Sequence, residues 1–238
     1  MIEIIKAEIQ KSKRTSMHKF VIMTPLITLF LPFLWGGGQN GAYNWWYTLF
    51  LPGMLAIISS QTIAREKKLS YKGLFFYPRD KGLFWLGKII HVGILLIISS
   101  LVFMVGIIGL GLISEPSIGV GANLLATIVL VIVFLFEIPM SLFLSAKFNT
   151  FVAILFNLFM TVFGVISFGT KLFSIVYPYA IVPALMVPIL HILPNGLPIS
   201  GDSQFLNVNI PRGLVVNSLV FLLLTVLTML WFKNKEGN

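Results

Sequence analysis

The sequence predicts an all-α polytopic membrane protein, a single transmembrane domain over residues 1–238 with six spans. Three observations predict it. Hydrophobic residues make up 57% of the chain and charged residues only 11%, less than half the roughly 25% of ordinary soluble domains. Apolar runs recur along the chain at the length of about 20 residues that a membrane helix needs. The basic residues are also unevenly shared between alternate connections, as the two sides of a membrane require. Six helices of about 20 residues use about 120 positions, which leaves no room for an added soluble catalytic domain of ordinary size. With no Cys in the chain, disulfides and thiolate metal sites are excluded.

Residues 1–19 read as a surface helix. Ile2, Ile5 and Ile9 recur at three- and four-residue steps and share a face, while Glu3, Lys6 and Lys13 lie on the polar side. A cleavable signal peptide is the competing reading. The long mixed-charge leader and the lack of a small-x-small site after Phe33 argue against it.

The first span is expected over Phe20–Trp35, with Pro25 and Pro32 inside it, ending in the Gly36–Gly41 turn. The second, Asn44–Ala64, opens on Trp45, Trp46 and Tyr47, the aromatic belt of a membrane boundary. A polar segment, 65–88, precedes the third span, Ile89–Ile113, whose Gly106, Gly109 and Gly111 permit close helix approach. The fourth span, Leu124–Leu144, turns through Ala146–Asn149 into the fifth, Thr150–Gly169. The last is Leu214–Phe232, followed by a tail from Lys233 to Asn238.

In 170–213 the prolines at 178, 183, 188, 194, 198 and 211 break the apolar run. Short re-entrant or interfacial helices and an external loop are expected there, with a seventh span as the alternative. Six spans with the N-terminus inside place 15 of the 17 Lys and Arg residues on the cytoplasmic side. Only Lys171 and Arg212 fall outside. By the positive-inside rule both termini are cytoplasmic, and anionic lipid accounts for the basic charge. Nucleic acid is not an expected partner.

Catalytic motifs are few and fail on inspection. Gly82 to Lys88 has the spacing of a phosphate-binding loop, but Ile89 stands where Ser or Thr would hold Mg²⁺. His18, His91 and His191 are far apart without a carboxylate at ligand spacing, so no metal site is expected. Glu137, two residues before Pro139, is the carboxylate expected at membrane depth, where burial costs roughly 2.5–3.5 kcal/mol. It is a candidate pathway residue; satisfying backbone groups left by Pro139 is the other reading. The 65–88 segment is the most informative. Arg65, Glu66, Lys67 and Lys68 leave the membrane. Leu74, Phe75, Phe76 and Tyr77 then lie between charges, followed by Pro78, Arg79, Asp80 and Lys81. Pro78 suits a helix start with Asp80 near its positive end. Aromatics among cations suggest docking of a soluble partner.

With these residues in view, the layout resembles the permease subunits of type 2 ABC exporters, most of all the small permeases of lantibiotic self-protection transporters of the mutacin/epidermin immunity type. The matching features are Ala7-Glu8-x-x-Lys11-x-Lys13-Arg14, the Glu66-Lys67 exit, Tyr77-Pro78-Arg79-x-Lys81 and Trp85-x-x-Lys88. The resemblance covers the whole chain in length and span layout. It implies an N-terminal interfacial elbow helix, a cytoplasmic coupling helix between spans 2 and 3 and re-entrant helices before span 6. It also implies a pair of permeases, the same or homologous, driven by two cytoplasmic ABC ATPase subunits. ATP and Mg²⁺ would sit on those partners, with no cofactor, metal or catalytic residue in this chain. Arg65, Glu66, Lys67, Tyr77, Pro78, Arg79, Asp80 and Lys81 would form the ATPase-docking segment. The implied cargo is a cationic amphipathic peptide antibiotic expelled across a bacterial cell membrane. Export of another amphipath, such as a cytolytic peptide or lipid-linked precursor, is an alternative; a non-transporting assembly or sensor subunit is another.

Overall fold

The computed structural model describes residues 1–13, 15–68, 71, 80–114, 116–201 and 203–234, with the backbone alone at residue 65. Tyr77, Pro78 and Arg79 lie outside the described residues. Among those described, no strand forms beyond one isolated bridge, Ile192 with Pro198. Six helices are long and apolar enough to cross a membrane.

The N-terminal helix α1 (Ile2–Ser12) is shorter than the expected surface segment, because α2 (Met17–Trp35) begins soon after it. Ile4, Glu8 and Ser12 form the buried face of α1, and Ile2 is exposed. The i, i+4, i+8 row that packs is therefore one residue away from part of the isoleucine row. Gly36 and Gly37, at φ +79° and +94°, make the turn into α3 (Gly38–Lys68). The second helix thus starts well before the expected Asn44.

Within α3, residues Trp46–Phe50 form a π-helical turn just ahead of Pro52. A widened turn of this kind rotates the side chains that follow. Trp46 and Tyr47 consequently face inward, each 1% exposed, with Trp46 stacked on Phe103 at 4.6 Å. They form core instead of the expected belt; Trp35 and Trp45 are the exposed aromatics of that turn.

Helix α4 (Lys81–Ile113) runs for 33 residues without interruption, about 50 Å at 1.5 Å per residue. Its first two turns fall in the polar segment 65–88, where a helix start with Asp80 near its positive end was expected, while the third span was expected only from Ile89. Asp80 caps it, its Oδ1 accepting from Gly82 N at 2.6 Å. Helix α5 (Val120–Lys147) is broken at Leu135 and Phe136, where bonding tightens to Leu135 N→Ile132 O and Ile138 N→Leu135 O. Pro139 has no N–H to continue the ladder. Asn149 caps α6 (Thr150–Ser167), accepting from Val152 N at 2.9 Å.

The proline-rich stretch folds as α7 (Phe173–Val176) and α8 (Pro178–Leu190), followed by a loop with one 3-10 turn at Gln204–Leu206. At 13 residues, α8 is about 20 Å long and cannot cross a hydrocarbon core of about 30 Å. Nearly all of its side chains are buried, as broken backbone at membrane depth requires. Last comes α9 (Ile210–Lys233), with Pro211 in its first turn and Asn209 as cap.

Helices α3 and α5 are the most enclosed of the six long ones, and α6 and α9 present the most surface outward. Small residues set the closest approaches, as in other membrane bundles. A Cβ at Gly164 would stand 2.6 Å from the Tyr179 backbone carbonyl carbon, so α6 and α8 meet there backbone to backbone. Gly106 receives Leu29 and Gly111 receives Gln39, whereas Gly109 faces open space. Two of the three α4 glycines therefore serve packing as expected.

Candidate functional site

Four charged side chains from three elements meet at one end of the bundle. Glu8 comes from the inward face of α1, Lys11 lies one turn further on, Glu66 is in the last turn of α3, and Lys88 is two turns into α4. Lys88 Nζ is 2.9 Å from Glu8 Oε2 and 3.4 Å from Glu66 Oε1; Lys11 Nζ is 2.9 Å from Glu8 Oε1 and 2.6 Å from Glu66 Oε1. Lys88 is fully enclosed, Glu8 and Glu66 nearly so, and Lys11 is about one-third open. Two ammonium groups thus balance two carboxylates, with Lys11 alone partly open to water. Burial pulls the Lys11 ammonium down, but the Glu8 and Glu66 carboxylates outweigh it and hold it above its ordinary value.

The arrangement ties the surface helix to both ends of the 65–88 segment. Gly87 receives Ile4 of α1, so the charged contact is flanked by a close apolar one. Removing one partner from such a group leaves a buried charge uncompensated. Chemically the cluster fixes the position of three helices relative to one another.

The docking residues expected from the sequence divide into different roles. Glu66 points inward into the ion network, so its carboxylate is not part of an outer surface. Lys67 reaches α5, donating to Ser145 O at 3.2 Å and to Phe148 O, the favourable place for a cation at a helix C-terminus. Asp80 is exposed; its Oδ2 is 2.7 Å from Lys233 Nζ at the end of α9. The Lys233 ammonium and the Gly82 N–H hold its carboxyl below the usual range. Lys81 starts α4 and is half-buried. The side chain of Arg65 and residues Tyr77, Pro78 and Arg79 lie outside the described residues.

Glu8 and Lys88 carry the centre of the network, yet neither was expected to. Both stood in stretches that carried the resemblance, Glu8 in Ala7-Glu8-x-x-Lys11 and Lys88 in Trp85-x-x-Lys88, without a role assigned, and Lys88 also ended a failed phosphate-loop pattern. That stretch is helical, with Gly82 against Met229 and Lys233 of α9. The available signal was Glu8 at i+4 from Ile4 and i−4 from Ser12, on the face that packs.

Glu137 stands just after the α5 break and is 0% exposed. Neither carboxyl oxygen has a hydrogen-bond partner among the described residues. Enclosed on every side, it lines no open passage in this conformation. Nor does it serve the backbone freed at the break: Asn217 of α9 does so, donating from Nδ2 to Val133 O at 3.0 Å and to Pro178 O at 3.4 Å.

The histidines remain apart. His18 Nε2 is 3.2 Å from Ser12 Oγ, His91 is buried, and His191 ends α8 at φ +56°. Among the described residues no group of three potential ligands could hold a metal ion. Between α2, α3 and α6 runs an apolar groove of about 530 Å³, lined by residues such as Phe20, Met23, Phe50, Met54 and Leu158, with Lys19 and Ser16 at one end.

The fold is that of a polytopic helical membrane protein whose surface helix is tied by ion pairs to the connection between two spans. Residues 4–164 match the family profile described as ABC-2 family transporter protein, and the chain belongs to that family. It is therefore the membrane component of an ABC transporter, a permease. No curated protein and no solved structure gives a match. The matched region covers α1 to most of α6 and contains all four members of the ion network.

Proposed function

We propose that the chain is the permease subunit of an ATP-driven exporter that expels cationic amphipathic peptides, of the lantibiotic self-immunity type, from a bacterial cell membrane. The observation that carries the reading is the Glu8–Lys11–Glu66–Lys88 network within a chain of the ABC-2 family. It makes α1, the end of α3 and the start of α4 one rigid base around the connection that a motor subunit would push. In this reading two cytoplasmic ABC ATPase subunits bind ATP and Mg²⁺ and dock on the 65–81 segment through Arg65, Lys67, Tyr77, Pro78, Arg79, Asp80 and Lys81. Glu66 serves that segment from behind. A second permease, identical or homologous, completes the pathway.

Both termini are cytoplasmic in this arrangement, in keeping with the 15-to-2 distribution of basic residues. The groove between α2, α3 and α6 supports a cargo taken from the lipid phase, since its wall is apolar and it opens outward. Glu137 would meet a cationic cargo only after the α5 break opens.

Co-purification tests the reading. Tagged permease is expected to retain an ABC ATPase subunit, and the triple variant Tyr77→Ala, Arg79→Ala, Asp80→Ala is expected to lose it while still inserting in the membrane. Cells lacking the permease should become at least several-fold more sensitive to a cationic lantibiotic. Undiminished retention by the triple variant would overturn the docking assignment. Unchanged peptide sensitivity would overturn the cargo.

A further inference from the structure

At the end of the bundle opposite the ion network, two adjoining cavities open among the end of α6, α7, the 3-10 turn and the start of α9. One, of about 230 Å³, is lined by Phe168, Lys171, Ser174, Gln204, Phe205 and Asn207 among others. The next, of about 240 Å³, is lined by Lys171, Ser174, Asn207, Asn209 and Arg212 among others. They share Lys171, Ser174, Asn207 and Val208 and form one cleft. Jointly they reach the size of a small-molecule site, roughly 300–1,000 Å³.

The charge of this cleft is its distinguishing property. Lys171 and Arg212 are the two basic residues that the sequence puts on this side, and they are 41 positions apart. The fold nevertheless brings both to one cavity wall. The described carboxylates lie elsewhere: Glu3, Glu8, Glu66 and Asp80 are at the opposite end and Glu137 is enclosed in α5. No described carboxylate forms an ion pair with Lys171 or Arg212.

Arg212 stands in the first turn of the 24-residue α9, capped by Asn209, where the helix dipole adds positive potential. Ser174, Gln204, Asn207 and Asn209 supply neutral hydrogen-bonding groups between the cations. Leu172 and Val176, on either side of Ser174 in the chain, are exposed apolar residues.

We infer that this cleft is an anion site that takes a phosphate group, held by Lys171 and Arg212 together with the polar wall. Arg offers a planar fork for phosphate oxygens and Lys a point charge. The group reaches the site either as the headgroup of an anionic phospholipid or as free phosphate. All the lining residues follow position 164, beyond the region that matches the family profile, so the site belongs to the part of the chain where family membership says least. It does not depend on the proposed cargo or on an ATPase.

Native mass spectrometry of the full-length permease with phosphatidylglycerol tests it, with phosphatidylcholine as the neutral comparison. The wild type is expected to keep at least one more phosphatidylglycerol than the double variant Lys171→Gln, Arg212→Gln. A parallel calorimetric titration with inorganic phosphate distinguishes the sources. Heat that is lost in the double variant shows a site for free phosphate, and retained lipid without such heat shows a headgroup site. Both cations are exposed, so the double variant should melt like wild type; if it does not, each single variant is expected to weaken retention several-fold. Equal lipid retention by wild type and variants, with no phosphate heat above that of the variants, overturns the inference.

Discussion

Lys88 is the residue on which the base of the bundle turns. A fully enclosed ammonium is costly to bury, and it is tolerated because two carboxylates from different helices meet it. Lys88→Met should destabilise the protein by about 3–5 kcal/mol, because Glu8 Oε2 is then buried without its partner. Lys11→Gln should cost only about 1 kcal/mol, since Lys11 is partly open to solvent. Thermal unfolding in detergent measures both, and a Glu8–Lys88 double-mutant cycle should return a favourable coupling. Equal destabilisation by the two single changes would contradict the central place given to Lys88. The individual residue was the least legible level of the sequence. Charge counting assigns Glu8 and Lys88 to a solvated basic surface, because pairing between residues 80 positions apart depends on helix contacts that no local pattern contains.

At the scale of the element, periodicity and apolar length locate the helices, while side-chain size decides how closely they approach. Gly164 shows the difference: its sequence neighbourhood is an ordinary apolar run, yet its missing Cβ is what admits Tyr179 of α8. Gly164→Ala should therefore cost about 1–3 kcal/mol, whereas Gly109→Ala, facing open space, should be neutral or slightly stabilising. Unfolding curves of the two variants check this, and similar losses would mean that α6 and α8 are not held at that distance. The number of spans and the interrupted 170–213 segment were readable because long apolar runs and prolines act locally. The inward turn of Trp46 and Tyr47 was not, since it follows from a π-helical turn beside Pro52. A helix start beside Asp80 was readable, but its unbroken continuation into the third span was hidden, because a helix that leaves the hydrocarbon keeps its hydrogen bonds but loses its apolar signature.

For the whole molecule, the question is which end faces the cell interior. The proposed orientation, read from the distribution of basic residues, would put the ion network inside and the Lys171–Arg212 cleft outside. A chain without Cys is well suited to a direct check by single-cysteine labelling. Ser200→Cys should react with a membrane-impermeant maleimide in intact cells, and Lys147→Cys only after permeabilisation. The reverse pattern would invert the molecule and place the docking segment outside.

The unbroken length of α4 carries a mechanical corollary. From Lys88 to Ile113 the axis measures about 38 Å, so a rocking of about 10° about the Lys88 end sweeps the far tip sideways by about 7 Å, more than one helical pitch. Because α1 grips the rod near its root, a small push delivered there is geometrically magnified at the opposite rim of the bilayer.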